Sequence, residues 1–142
     1  MKKNFTIEKS TNEEVRLIDD GIVEYNLKKV TFTQNPAFED VNRTMKDLEG
    51  NIIGWMLATI YCWNILYIGG LWVNEQYIKE GLDSMQLKEV ENIAKEKGCY
   101  LSHLKVSDAE TRDFYIKNGY EVFGVLDDYL VDYKEYLMNK VY

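Results

Sequence analysis

Leu66-Tyr67-Ile68-Gly69-Gly70-Leu71-Trp72-Val73 runs into Asn74–Asp83 and then into Ser84–Lys97, with Gly98 at the end. The first segment is apolar and aromatic and reads as a strand. The second is polar and carries Gly81, so it reads as a turn. The third reads as a helix stopped by Gly98. A strand that feeds a helix through a glycine-bearing turn points backbone N–H groups into one concavity. That concavity lies at the positive end of the helix dipole, where anions such as phosphate bind. The turn residues in question are Gln76-Tyr77-Ile78-Lys79-Glu80-Gly81-Leu82-Asp83-Ser84.

Upstream, no charged residue occurs from Asn51 to Asn74, a length that would span a bilayer. The run is β-branched and aromatic, is split at Trp63-Asn64, and lacks a flanking Lys/Arg cluster, so a membrane helix is rejected. Ile52–Trp63 and Ile65–Val73 are expected instead as a hairpin buried on both faces. Asp47–Asn51 is a hairpin turn, Phe38–Leu48 a strand, and Thr31–Ala37 a loop around Asn35-Pro36. Asn12–Lys29 reads as a helix, capped from Ser10-Thr11-Asn12 with Glu13 or Glu14 in its first turn. Phe5–Glu8 alternates like an edge strand.

Downstream, Tyr100–Val106 is a strand and Ala109–Asn118 a helix, with Asp108 as cap and Gly119 as stop. Tyr120–Leu126 and Tyr129–Met138 are closing strands. Strands on both sides of two crossover helices predict an α/β mixed sheet.

The chain has 142 residues, 46% of them hydrophobic, with one proline and no flexible linker, so a single domain over residues 1–142 is expected. A net charge of -7 argues against nucleic acid, which requires a basic face. It favours a cationic small molecule or peptide, or serves only to keep the protein soluble. Cys62 and Cys99 have no metal-ligand spacing. Two buried thiols with no signal peptide suggest a reducing cytoplasm.

Leu71-Trp72-Val73-Asn74 running into Gln76–Ser84, followed by Asp113-Phe114-Tyr115-Ile116-Lys117-Asn118-Gly119-Tyr120-Glu121, resembles the GNAT superfamily of N-acetyltransferases. The resemblance covers nearly the whole chain and is strongest from Asn51 to Leu126. It implies a mixed, strongly twisted central sheet flanked by helices, and acetyl-CoA as cosubstrate. It also implies that the pantetheine lies along the backbone of Leu71, Trp72 and Val73. Gly69-Gly70 suits a bulge that splays this strand, or two glycines in a packed strand.

The resemblance further assigns the pyrophosphate to Ile78, Lys79, Glu80, Gly81, Leu82, Asp83 and Ser84. Here the sequence departs from the family's pattern. Gly81 is kept, but Ile78 stands where arginine is usual, Lys79 replaces a glycine, and Asp83 replaces the last glycine. Lys79 restores a positive charge. Asp83 is expected to cap the helix, with Gln86 completing a capping box, and to use N–H groups a phosphate needs. At about 5 Å and an effective dielectric of about 20, a carboxylate opposing a phosphate costs about 3 kcal/mol before screening.

Tyr115 matches the family tyrosine that protonates the departing CoA thiolate, or is a packed aromatic beside Phe114. Asp108 and Thr111 stand where the family has asparagine and alanine; Asp108 can still accept a hydrogen bond at the cofactor. An acid common on the fourth strand is replaced by Gly69 or Gly70. The remaining base candidates are Glu75, Glu110 and Asp127 or Asp128. His103 lies mid-strand and reads as packing. Tyr61, Trp63 and Tyr67 line an acceptor pocket or belong to the core.

The expected activity is acetyl transfer from acetyl-CoA to a primary amine of a small molecule or peptide by direct attack. The alternative is a catalytically degenerate binding or regulatory protein on the same scaffold. A homodimer is a further expectation, and a purely structural dimer subunit a third reading. No nucleic acid, membrane or metal is expected.

Overall fold

The computed structural model of the protein describes residues 4–142. The chain divides into a unit ending at Phe32 and a second running Thr33–Tyr142. The first contains one helix, α1 (Asn12–Lys29), as its caps predict. Thr11 accepts from the Glu14 N–H at 3.2 Å, and its hydroxyl donates to the Glu14 carboxylate at 3.0 Å. Phe5–Glu8 forms no strand. Four alternating residues with no partner strand do not hold an extended ladder.

The second unit is one sheet with helices between its strands. Its elements are β1 (Phe38–Asp40), β2 (Arg43–Lys46), β3 (Ile52–Tyr61), β4 (Ile65–Val73), α2 (Glu75–Ile78), α3 (Leu82–Glu96), β5 (Leu101–Val106), α4 (Ala109–Lys117), β6 (Glu121–Leu130) and β7 (Tyr133–Val141). The strand order is β1-β3-β4-β5-β7-β6, with β2 also on β3. Only β4 and β5 are parallel.

The strand expected over Phe38–Leu48 is broken into β1 and β2. The Asn42 side chain takes the Ala58 N–H at 2.8 Å, replacing a ladder bond at the break, and Val41 is buried there. Asp47 holds the following turn, accepting from the Glu49 and Asn51 N–H groups at 2.9 Å each.

The core lies on one face, where Met56, Leu66, Leu104 and Met138 meet Leu87, Val90 and Ala94 of α3, and Tyr115 of α4. β3 and β4 are not buried on both faces: Trp55, Leu57 and Trp72 point to the other side and are partly exposed. Buried Glu91 ties α3 to the sheet. Its carboxylate accepts from Tyr120 at 3.0 Å and Tyr142 at 2.9 Å and pairs with Lys140 at 3.1 Å. Three partners satisfy a charge that burial alone would destabilise.

Candidate functional site

The site is a gap in the sheet. β4 and β5 pair only over Ile65–Ile68 and Leu101–Leu104. Beyond them β4 is displaced by a bulge. Leu57 faces Gly70 and Ala58 faces Ile68, which leaves Gly69 as the extra residue. A side chain at Gly69 would make only ordinary contacts with Leu57, whereas one at Gly70 would press on the Trp55 ring at 3.1 Å. The glycine pair therefore does mark a bulge, and tight packing against Trp55 restricts its second member.

After the bulge, β4 keeps β3 and loses β5. The Asn74 N–H donates to Ile53 O at 2.8 Å, so by two-residue alternation the Trp72 backbone also faces β3. Leu71 and Val73 turn their N–H and C=O groups toward the gap. Of the three residues expected beside a pantetheine, two offer backbone groups to it. The Trp72 side chain points to the exposed face.

A cleft of about 410 Å³ occupies the gap. Its walls are β4 from Tyr67 to Leu71, β5 from Leu104 to Val106, the Ser107-Asp108 corner, Thr111, Phe114 and Tyr115 of α4, and Tyr129 and Glu135 of the β6–β7 hairpin. Tyr115 is 3% exposed, its ring edge-on to Phe114 and Tyr120. Among the described residues its hydroxyl has no hydrogen-bond partner. Burial, and then the field of Glu91, push this phenol above its ordinary range. It stays protonated at neutral pH and is a proton donor, though a reluctant one.

Asp108 caps α4 as expected. Its carboxylate accepts from the Thr111 N–H and Thr111 hydroxyl, each at 2.8 Å. Both bonds fall on Oδ2, so this oxygen is committed to the helix while Oδ1 has no partner among the described residues, and the residue lines the cleft.

The turn after β4 holds a short helix, α2, capped by Asn74, which accepts from the Gln76 N–H at 3.0 Å. Ile78 ends α2 and is exposed; Lys79 and Glu80 are exposed beside it. Gly81, at φ +75, is the N-cap of α3, with open space where a side chain would be. Helix α3 thus begins at Leu82, two residues before the expected Ser84. Asp83 is not the N-cap. It is the second helical residue, and its Oδ1 lies 2.8 Å from the Ser84 N–H. By this different route the carboxylate still covers one of the helix's first free amides.

The capping box with Gln86 does not form. Starting α3 at Leu82 rotates Gln86 onto the sheet-facing side. There it is 4% exposed, with neither its Nε2 nor its Oε1 hydrogen-bonded among the described residues.

Glu75, Glu110, Asp127 and Asp128 are not among the residues lining the cleft; Asp127 pairs with Lys134 at 3.6 Å. Glu135 lines it instead. Its alternating position on β7 resembles many solvated strand carboxylates, so only the sheet order shows that it lines the cleft. His103, Tyr61 and Tyr67 share an adjoining depression with Phe38 and Thr59 on the face away from α3, and Tyr67 lines both it and the cleft. Tyr61 Oη and His103 Nε2 are 2.7 Å apart, and burial lowers the His103 pKa below its ordinary value. Trp63 does not line that depression. Both cysteines are buried, and burial pushes the Cys99 thiol up to about 11. Among the described residues no cluster of His, Cys, Asp and Glu is placed to hold a metal ion. No helix there is long and apolar enough to cross a membrane.

The sequence profile of the acetyltransferase (GNAT) family matches residues 13–120. An acetyltransferase from Bacillus cereus ATCC 14579 has a solved structure that aligns at a TM-score of 0.86 and 32% identity, over 97% of this chain and 98% of that one. A protein from Agrobacterium tumefaciens assigned as an acetyltransferase aligns at a TM-score of 0.81 and 20% identity, over 99% of this chain and 100% of that one. A third structure, assigned as a streptothricin acetyltransferase from Bacillus anthracis str. Ames, was crystallised with acetyl coenzyme A. It aligns at a TM-score of 0.63 and 21% identity, over 72% of this chain and 62% of that one. No curated protein matches the sequence. The splayed parallel pair, the glycine-started helix beside it and these two lines of likeness lead to one conclusion: the chain belongs to the GNAT acetyltransferase family.

Proposed function

We propose that this protein transfers an acetyl group from acetyl-CoA to a primary amine by direct attack. The observation that carries the reading is the gap beyond Gly69, where β4 loses β5 and Leu71 and Tyr115 line one cleft, with the unpaired backbone groups of Val73 continuing the same strand edge. The residues fit the cosubstrate in two respects. An extended amide-bearing arm matches a strand edge that lacks its neighbour. The first turn of α3 after Gly81, with the Leu82 and Asp83 amides unbonded among the described residues and Lys79 nearby in the chain, offers N–H groups and a cation to a pyrophosphate.

Acetyl-CoA supplies the thioester when bound. The acceptor ammonium first gives up one proton to a base in the cleft or to water; the neutral nitrogen then forms a bond to the thioester carbon, and the carbon–sulfur bond breaks. Tyr115 gives its proton to the departing sulfur and regains one from water, and the nitrogen loses its second proton to a base in the cleft or to water. Asp108 contributes by fixing the start of α4, and hence the position of Tyr115.

Tyr115→Phe separates chemistry from packing. Since the hydroxyl has no protein partner, its loss should change stability by less than about 0.5 kcal/mol. Turnover with an amine acceptor should drop at least tenfold, roughly, while acetyl-CoA affinity holds. Calorimetry with acetyl-CoA checks the binding half; no heat at millimolar ligand would end the transferase reading.

The second reading, a regulatory protein on this scaffold that binds CoA weakly, is favoured by one observation. The Asp83 carboxylate lies on an amide at the start of α3. The same calorimetry distinguishes it.

A further inference from the structure

The cleft has two sides. Tyr115 and Phe114 enter it from the α4 face. Lys105 pairs with Leu137 across β5 and β7, so Glu135, two residues from Leu137, projects to the opposite face. Tyr129 and Tyr67 line the cleft with it.

Three charged residues line this cleft: Lys105, Asp108 and Glu135. The Asp108 Oδ2 is held by Thr111 at the start of α4. Lys105 stands diagonally from Glu135, and no ion pair joins them among the described residues. Glu135 is half-buried, has no hydrogen bond or ion pair among the described residues, and lines the cleft together with Tyr67 and Tyr129, away from the start of α4 where Asp108 is held.

We infer that Glu135 is the acceptor-recognition residue. It takes the ammonium of a cationic primary amine whose apolar or aromatic stem lies between Tyr67 and Tyr129. This deepens the transferase reading and rests on it for the reaction, but the amine site itself can be tested without acetyl-CoA. Three features agree on the ligand class. A partly desolvated carboxylate selects a cation over a neutral group. Tyrosine faces attract cations and cover apolar stems. The net charge of -7 draws cations toward the protein as a whole.

The probes are 2-phenylethylamine and its uncharged counterpart 2-phenylethanol, titrated by calorimetry. The parent protein should bind the amine about tenfold more tightly than the alcohol, the scale of one partly shielded ion pair. In Glu135→Gln that preference should vanish. Glu135→Asp should retain most of it, and Lys105→Met should increase it by removing a competing cation. Acetyl-CoA affinity should be the same in all four proteins. An unchanged preference in Glu135→Gln, or no amine binding by the parent, overturns the inference. Should acetyl-CoA fail to bind while the amine preference still depends on Glu135, the transferase reading falls and the amine site stands.

Discussion

Replacing Gln86 by methionine should stabilise the protein. The side chain is 4% exposed, and both polar atoms of its amide lie within the protein without partners. Its Oε1 sits 2.9 Å from where a side chain on Gly54 would begin, and the Trp72 carbonyl is 3.0 Å from that same point. The amide is therefore wedged under the ends of β3 and β4. An unmet buried polar group costs about 1–3 kcal/mol. Methionine keeps the length and flexibility of glutamine and removes both polar atoms, so most of that penalty should be recovered. With a urea slope of about 1–3 kcal/mol per molar, the unfolding midpoint should rise by about 1 M at constant slope. Equilibrium urea unfolding followed by tryptophan fluorescence measures it. A midpoint that stays put or falls, with the slope unchanged, would refute the reasoning and mean that the amide has a partner in solution. The groove lined by Arg43, Thr44, Met85 and Glu89 is where a bound water would enter.

Two further outcomes are expected. Asp83→Gly should tighten acetyl-CoA binding by up to about a hundredfold at low salt, with the gain shrinking as ionic strength rises, and Asp83→Asn should fall between; calorimetry at two salt concentrations checks both. The protonated form of His103 is disfavoured in the folded state because burial lowers its pKa, while the unfolded chain titrates near about 6.5. Its stabilising effect is therefore present above that value and lost as pH falls through it. Denaturant midpoints at pH 7.5 and 5.5 should diverge less in His103→Gln than in the parent.

The parts of the fold written in local pattern were legible in the sequence. The caps of α1 and α4, the helix stops at Gly98 and Gly119, the Asp47 turn and the β3–β4 hairpin each depend on residues close together in the chain. What escaped depends on distant partners. The break between β1 and β2 exists because Asn42 reaches Ala58 on another strand. The start of α3 moved because glycine at a left-handed φ can begin a helix without a side-chain cap, and that two-residue shift turned Asp83 and Gln86 to new faces. In the site, Tyr115 and Gly81 were marked by motif. Glu135 was not, since its place in the cleft depends on β7 lying beside β5 instead of beside the end of the chain's own hairpin alone.

The short pairing of β4 with β5 also has a mechanical meaning. The sheet is two half-sheets, β3-β4 with β1 and β2 both on the outer edge of β3, and β5-β7-β6, joined at the backbone by a stitch of four residue pairs. Ser102 and Leu66 sit in that stitch and are fully buried, and Ser102 is bonded to Tyr120 at 2.6 Å. The Ser102–Tyr120–Glu91 group therefore anchors the sheet just below the opening, with the Tyr120 ring 5.3 Å from that of Tyr115. A molecule lying along Leu71 and Val73 fastens the two halves above the stitch, so occupancy would stiffen the whole sheet. A substitution that loosens Ser102 would widen the opening without touching any residue that lines it.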